Sequence, residues 1–180
     1  IEHKAGRPVL AREFANRTGL KPLPSRWVIT WKYSDAELLV KCRMVLKGIA
    51  ERNQDSMMTF SPTASRMAHK MVIMTAVSNG WKIAGIDIST AFLQGWTFKE
   101  ANEEGIKGQP CAFFPPEDVF GLMASISDDW KIAAKNISDY VIELDKGGYG
   151  LKDAVSLWNM RLVKVIMSPD VAWQKGKHDT

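Results

Sequence analysis

The chain has 180 residues, 46% hydrophobic and 24% charged, an ordinary globular composition with enough apolar side chains for one core. No run of about 18 apolar residues could cross a bilayer, and the N-terminus lacks the basic-then-apolar layout of a signal peptide. An intracellular protein of one domain, or part of one, with no membrane partner is therefore expected. Charge is uneven: residues 1–80 hold 13 Lys and Arg against 6 Asp and Glu, whereas residues 81–180 hold 11 against 14. A basic excess of this kind suits a surface that meets phosphates, because each neutralised phosphate releases counterions. A solvated basic face would look the same.

Residues 1–24 mix charge, Gly6, Gly19, Pro8, Pro22 and Pro24 with no sustained period, and read as a linker or N-terminal arm. From Trp27 the pattern changes. "RWVITWKY" and "LLVKCRMVLKG" are β-rich runs around the polar "SDAE", which predicts a hairpin ending at Gly48. On its second strand, period 2 puts Lys41, Arg43 and Lys47 on one face, interrupted by Val45, with Cys42, Met44 and Leu46 on the other. Three cations on one strand face make a phosphate platform.

"TFSPTASRMAHKMVIMTAVSNGW" then reads as a helix, capped by Ser61 or Thr63 with Pro62 in the first turn and stopped by Asn79-Gly80. Met67, Met71, Met74 and Val77 follow the helical spacing and are expected to face the core. "WKIAGID" is a predicted strand and "STAFLQGW" a turn or short helix. Further on, "KEANEEGIKGQP" reads as a loop, "CAFFPPEDVFGLM" as an extended segment and "SISDDWKIAAKNIS" as a short helix. "YVIELDK" alternates as a strand, "GGYGLKDA" bends, and Leu157, Met160, Val163 and Met167 mark a last helix. Cys42 and Cys111 lie outside any metal-ligand spacing and are expected to be reduced, partly buried thiols. His3, His69 and His178 form no pattern.

In order and spacing, "KCRMVLKGIAE", "TFSPTASRMAHKMVIMTAVSNGWKIAGIDISTAFLQG" and "VIELDKGGYGLKDAVSLWNMRL" resemble the N-terminal part of reverse transcriptases of copia-type LTR retrotransposons. The family's motifs read Lys-x-Arg-Leu-Val-x-Lys-Gly, Thr-Phe-Ser-Pro-Val, Asn-Gly-Trp with Leu-Asp-Val-x-Thr-Ala-Phe-Leu-x-Gly, and Leu-Tyr-Gly-Leu-Lys-Gln-Ala-Pro. The resemblance implies an α+β fold, the fingers and first part of the palm of a right-hand polymerase, over residues 25–168. Residues 169–180 would then be a C-terminal tail. It also implies an RNA-directed DNA polymerase: a nucleotidyltransferase acting on an RNA or DNA template-primer and deoxynucleoside triphosphates, in a cytoplasmic particle or the nucleus.

Nucleotidyl transfer uses two divalent ions, Mg2+ by expectation, and hard cations need carboxylate oxygens. By resemblance Asp87, at the end of its strand, is the first palm carboxylate and a metal ligand, and Ile88 supplies a neighbouring backbone carbonyl. Phe92 matches the aromatic that crowds the sugar 2′ position, although an aromatic anchoring the next helix would read the same. The resemblance also implies that Arg43 lies over the triphosphate, where a guanidinium can bind phosphate oxygens in pairs and stack on the base. By the same resemblance Lys41 and Lys47 would contact nucleotide or template backbone, or be solvated. Tyr149, Gly150 and Lys152 match the turn whose backbone lies close to nucleotide and template. Asp153, Val155 and Gly148 depart from the customary glutamine, proline and leucine, and a carboxylate at 153 near phosphate would be repulsive.

The family's second metal-binding block, an aromatic-x-Asp-Asp hairpin beyond the Tyr-Gly-Leu-Lys turn, does not occur. The adjacent Asp128 and Asp129 precede that turn and read as a solvated helix start; past it only Asp170 and Asp179 remain. The expectation is a fragment truncated before the second catalytic hairpin, without the remaining palm and thumb, in which Mg2+ binding is weak or absent. The alternative is a catalytically dead nucleic-acid-binding remnant of a decayed retroelement.

Overall fold

The computed structural model describes residues 5–34, 37–50, 59–169 and 171. Five strands form one mixed sheet: β1 (Gly6–Leu10), β2 (Leu23–Ser34), β3 (Glu37–Leu46), β4 (Cys111–Phe114) and β5 (Tyr140–Leu144), in the order β1-β5-β4-β2-β3. β2 runs parallel to β4, and the other neighbours are antiparallel. Among the described residues six α-helices accompany it: α1 (Ala11–Thr18), α2 (Arg66–Ser78), α3 (Phe98–Glu103), α4 (Glu117–Met123), α5 (Asp128–Lys135) and α6 (Ala154–Ile166). The fold is α+β, and among the described residues no helix is long and apolar enough to cross a membrane.

Alternation along β4 and β5 divides two cores. Cys111, Phe113, Ile142 and Leu144 face the larger, with Trp96, Phe98, Phe120, Trp130, Leu151 and Leu157 from the helices and loops above them. Ala112 and Val141 face the smaller, closed by Phe14 of α1. Phe14, Phe113 and Phe120 are fully buried, each stabilising the fold by about 2–3 kcal/mol. Glu143 shares the smaller face. Its buried carboxylate accepts from Arg7 at 3.1 Å and Arg17 at 2.7 Å, and this pairing holds the Arg17 guanidinium above its usual range.

The N-terminal residues read as an arm thus contribute an edge strand and a helix. β1 is made by pairing with β5, far along the chain, so no local period announces it. At the sheet edge Pro8 is tolerated, and Gly19 (φ 68°) ends α1 in the left-handed region.

Between Leu46 and β4 the departures are larger. α2 starts later than expected, with Ser65 rather than Ser61 or Thr63 as cap: its hydroxyl accepts from the Ala68 N–H. The Asn79-Gly80 stop holds, with Gly80 at φ 65°. Met67, Met71, Met74 and Val77 are exposed rather than buried, and only Ala76 is enclosed. The expected strand "WKIAGID" is irregular and exposed, with Ile86 86% accessible, because no described strand lies beside it to complete a ladder. The expected loop after Thr97 opens with α3, started by a capping box between Thr97 and Glu100. The expected extended segment from Cys111 is β4 followed by α4. The last helix forms, but Val163 and Met167 are exposed. Cys42 is exposed and Cys111 buried.

Candidate nucleic-acid interface

β2 pairs with β4 only at Leu23 and Pro24, so beyond them the β2–β3 hairpin leaves the sheet as a two-stranded ribbon. Directly opposed residues of an antiparallel pair share a face. The register from Ser25↔Leu46 to Ser34↔Glu37 therefore separates two surfaces. One is uncharged: Trp27, Ile29, Trp31 and Tyr33 against Met44, Cys42, Val40 and Leu38. Its base continues into the core through Met44 and Leu46. The other carries Arg26 and Lys32 from β2 with Lys41 and Arg43 from β3. The ladder runs one residue further, since the Lys47 N–H donates to the Pro24 carbonyl at 2.9 Å, which brings Lys47 to the same side. The row of three foreseen on β3 is thus joined by Arg26 and Lys32, whose places follow from the register with β3. The turn between the strands, at 35–36, lies outside the described residues.

Residues 147–152 dock on the base of this ribbon. The Leu46 N–H donates to the Tyr149 carbonyl at 2.8 Å, between Arg43 and Lys47 in sequence. Gly150 has φ 96°, and a Cβ there would collide with the Leu46 carbonyl and lie 2.9 Å from Val45 Cγ1. Only glycine satisfies both the conformation and the approach. The Tyr149 ring meets Phe92 edge to face, with centroids 5.3 Å apart at 69°. Phe92 belongs to a 3-10 turn, Ala91–Gln94, entered through Thr90 at φ 51°, a strained left-handed conformation for a β-branched residue. Lys152, at the end of the 147–152 segment, is half-buried.

Tyr149, Gly150 and, through the Tyr149 ring, Phe92 therefore meet the end of β3 beside Lys47, with Arg43 and Lys41 further up the ribbon and Lys152 two residues past Gly150. Asp87 and Ile88 reach this cluster only through the chain, a few residues before Ala91. The Asp87 side chain is exposed, Ile88 is half-buried, and among the described residues Asp87 makes no ion pair. No group of three or more His, Cys, Asp or Glu side chains among the described residues could hold a metal ion, so the donor set around Asp87 does not fit magnesium by itself. Asp128 and Asp129 sit exposed in the first turn of α5, with Asp128 paired to Lys131. Asp170 and Asp179 lie outside the described residues.

Asp153, whose carboxylate would be repulsive near phosphate, points inward. It is 5% exposed at the start of α6, has helical backbone angles that prevent it from capping, and leaves Oδ1 with no hydrogen-bond partner among the described residues. Burial raises its pKa to about 6. At Gly148, a Cβ would lie 3.3 Å from Leu144, so the customary leucine would force that side chain to move.

The family described as "Reverse transcriptase (RNA-dependent DNA polymerase)" matches residues 13–113. The retrovirus-related Pol polyprotein from transposon RE2 of Arabidopsis thaliana is 33% identical over 140 residues, covering 76% of this chain and 8% of that protein. The corresponding polyprotein of transposon RE1 from the same plant is 31% identical over 146 residues, 79% of this chain and 8% of its own length. That of transposon TNT 1-94 of Nicotiana tabacum is 29% identical over 146 residues, 79% and 9%. The chain thus spans less than a tenth of the length of these relatives. No solved structure matches it significantly.

Proposed function

Because the chain belongs to the reverse transcriptase (RNA-dependent DNA polymerase) family, we propose that residues 25–168 are the fingers and first part of the palm of a copia-type enzyme. Residues 1–24 would be the arm docked through β1 and α1, and 169–180 a tail. In the complete enzyme Arg43, Lys41 and Lys47 bind the phosphates of the incoming deoxynucleotide, Phe92 bounds its sugar, and the backbone at Tyr149 and Gly150, with Lys152, lines the nucleotide and template. Asp87 is the first palm carboxylate and Ile88 its neighbouring carbonyl. The template-primer and the remaining palm and thumb are the partners, inside the cell.

One observation carries this reading. Segments separated by about a hundred residues, each resembling a polymerase motif, meet at one place, with Gly150 packed on Val45 and Phe92 on Tyr149. Magnesium would supply charge neutralisation in the complete enzyme. Since one carboxylate is not a magnesium site, no step through the metal is assigned to this chain. A second reading is a nucleic-acid-binding remnant without chemistry.

Primer extension separates the two. The purified chain with Mg2+ is expected to incorporate nothing. Grafted in place of the matching segment of a homologous transposon polyprotein, it is expected to support synthesis that Asp87→Asn reduces at least about a hundredfold. Synthesis unaffected by Asp87→Asn refutes the catalytic assignment. A graft that binds template-primer but never extends it establishes the remnant reading.

A further inference from the structure

Beyond Trp27 the uncharged face of the ribbon carries three successive cross-strand pairs: Ile29 with Cys42, Trp31 with Val40 and Tyr33 with Leu38. Ile29, Trp31, Tyr33, Leu38 and Val40 are each 50–78% accessible, and Cys42 is exposed. The base of the face is already closed, since Met44 packs against the larger core and the Trp27 indole N–H donates to Asp118 of α4 at 3.1 Å. No described element covers the rest. These residues expose on the order of 700 Å², above the roughly 300–600 Å² of the largest apolar patch on a typical monomer and close to the ~800 Å² that each partner of a stable complex contributes.

The charges of the ribbon decide what fits on this face. It holds no charged side chain among the described residues, so two copies can stack upon it without setting like charges against each other. Stacked sheets lie about 10 Å apart, and each row of cations projects from the far side of its ribbon. The two rows are then about 20 Å apart, twice the Debye length at about 0.1 M salt. A lipid surface fits less well, because burying the aromatic side chains would turn the cations away from the headgroups.

Core residues lie on both faces of the main sheet. Two ribbons stacked with their bases at the same end would therefore drive the bodies into each other, which leaves the arrangement with bases at opposite ends. Cys42, near the middle of the face, then approaches its own copy. We infer that the uncharged face of the β2–β3 ribbon is a self-association surface, on which a second copy of this chain stacks its own ribbon in the opposite direction. Ile29, Trp31, Tyr33, Leu38, Val40 and Cys42 form the contact. The inference uses none of the residues assigned under the function proposed above, and the two fail separately.

Sedimentation velocity of the full chain tests it. The chain is expected to pass from monomer to dimer, and to nothing larger, between about 1 and 100 µM, the range open to an interface of this size. Trp31→Lys and Val40→Glu each set two like charges into the paired face and are expected to weaken dimerisation at least about thirtyfold. Arg26→Gln, on the opposite face of β2, is expected to leave it unchanged. Raising salt from about 0.1 to 0.5 M is expected not to weaken it, since no ion pair holds the contact. With Cys111 buried, a short bismaleimide is expected to link dimers through Cys42, and Trp31→Lys to abolish the link. Trp31 and Val40 are exposed, and unchanged circular dichroism spectra exclude unfolding as the cause. A chain still monomeric at about 100 µM overturns the inference. Cys42 shielded from maleimide in that monomer would assign the face to another part of this chain, and co-sedimentation with phosphatidylserine vesicles would assign it to lipid. A dimer indifferent to both substitutions, or association that continues past the dimer, overturns it as well.

Discussion

Replacing Asp153 with asparagine should stabilise this protein at neutral pH and do almost nothing in mild acid. The Asp153 carboxyl is 5% exposed, Oδ1 has no partner among the described residues, and burial raises its pKa from 3.8 to about 6. A folded-state pKa above the unfolded value means that the folded chain binds the extra proton. Stability is therefore greatest below pH 3.8 as far as this group is concerned, falls as pH rises towards 6, and reaches its full loss above it. The difference between 3.8 and about 6 corresponds to about 3 kcal/mol withheld from the folded state at pH 7.5. Asparagine removes the charge but leaves a buried amide only partly satisfied, which costs about 1–2 kcal/mol. The net gain should be about 1–2 kcal/mol, or a rise in Tm of about 2–8 °C for a chain of this size. Thermal melts of both proteins from pH 4.5 to 7.5 provide the assay, with the difference in Tm at each pH as the readout. The difference should be small at pH 4.5 and open through pH 6. A constant difference, or a parent chain that outlasts the variant at pH 7.5, would refute the claim that an ionised carboxylate is trapped there.

Gly150→Ala should cost about 2–4 kcal/mol in denaturant melts, because alanine is strained at φ 96° and its Cβ collides with the Leu46 carbonyl. A loss under about 0.5 kcal/mol would mean that the turn is not held against β3. Thr97→Ala should cost about 1 kcal/mol by removing the hydroxyl half of the α3 capping box. The Thr97 N–H, which the substitution leaves in place, and the Thr97 hydroxyl both donate to the Glu100 carboxylate and hold it below its usual range, so the hydroxyl's contribution is present above pH 4.5 and is lost as pH falls through the depressed value. The variant's deficit should therefore shrink in acid melts.

Elements fixed by their own residues were legible beforehand. The hairpin follows from two β-rich runs around a polar turn, the end of α2 from Asn79-Gly80, and α5 from acids at its start. β5 follows from strict alternation. α3 was missed although Thr97 and Glu100 stand at capping-box spacing, because the polar run around them suggested a loop. Elements defined by distant partners left no local trace. β1 exists because β5 accepts it, and residues 81–88 form no strand because none lies alongside, although they carry a strand's composition. The methionine spacing on α2 gave the helix correctly but not what covers it. At the candidate site, β3 alone showed three cations. Seeing five required knowing which β2 residue faces which β3 residue, and that is a property of pairing rather than of either run.

The position of β5 between β1 and β4 has a consequence for how this protein comes off the ribosome. The ribbon can zip as soon as its two arms have been synthesised, because its partners are neighbours in sequence. Arg7, by contrast, waits for Glu143, 136 positions downstream. Until then Phe14 and Val9 lack Val141 and the strand that pairs β1, which leaves apolar surface uncovered. A message interrupted before Tyr140 would yield the charged ribbon without the body that anchors it.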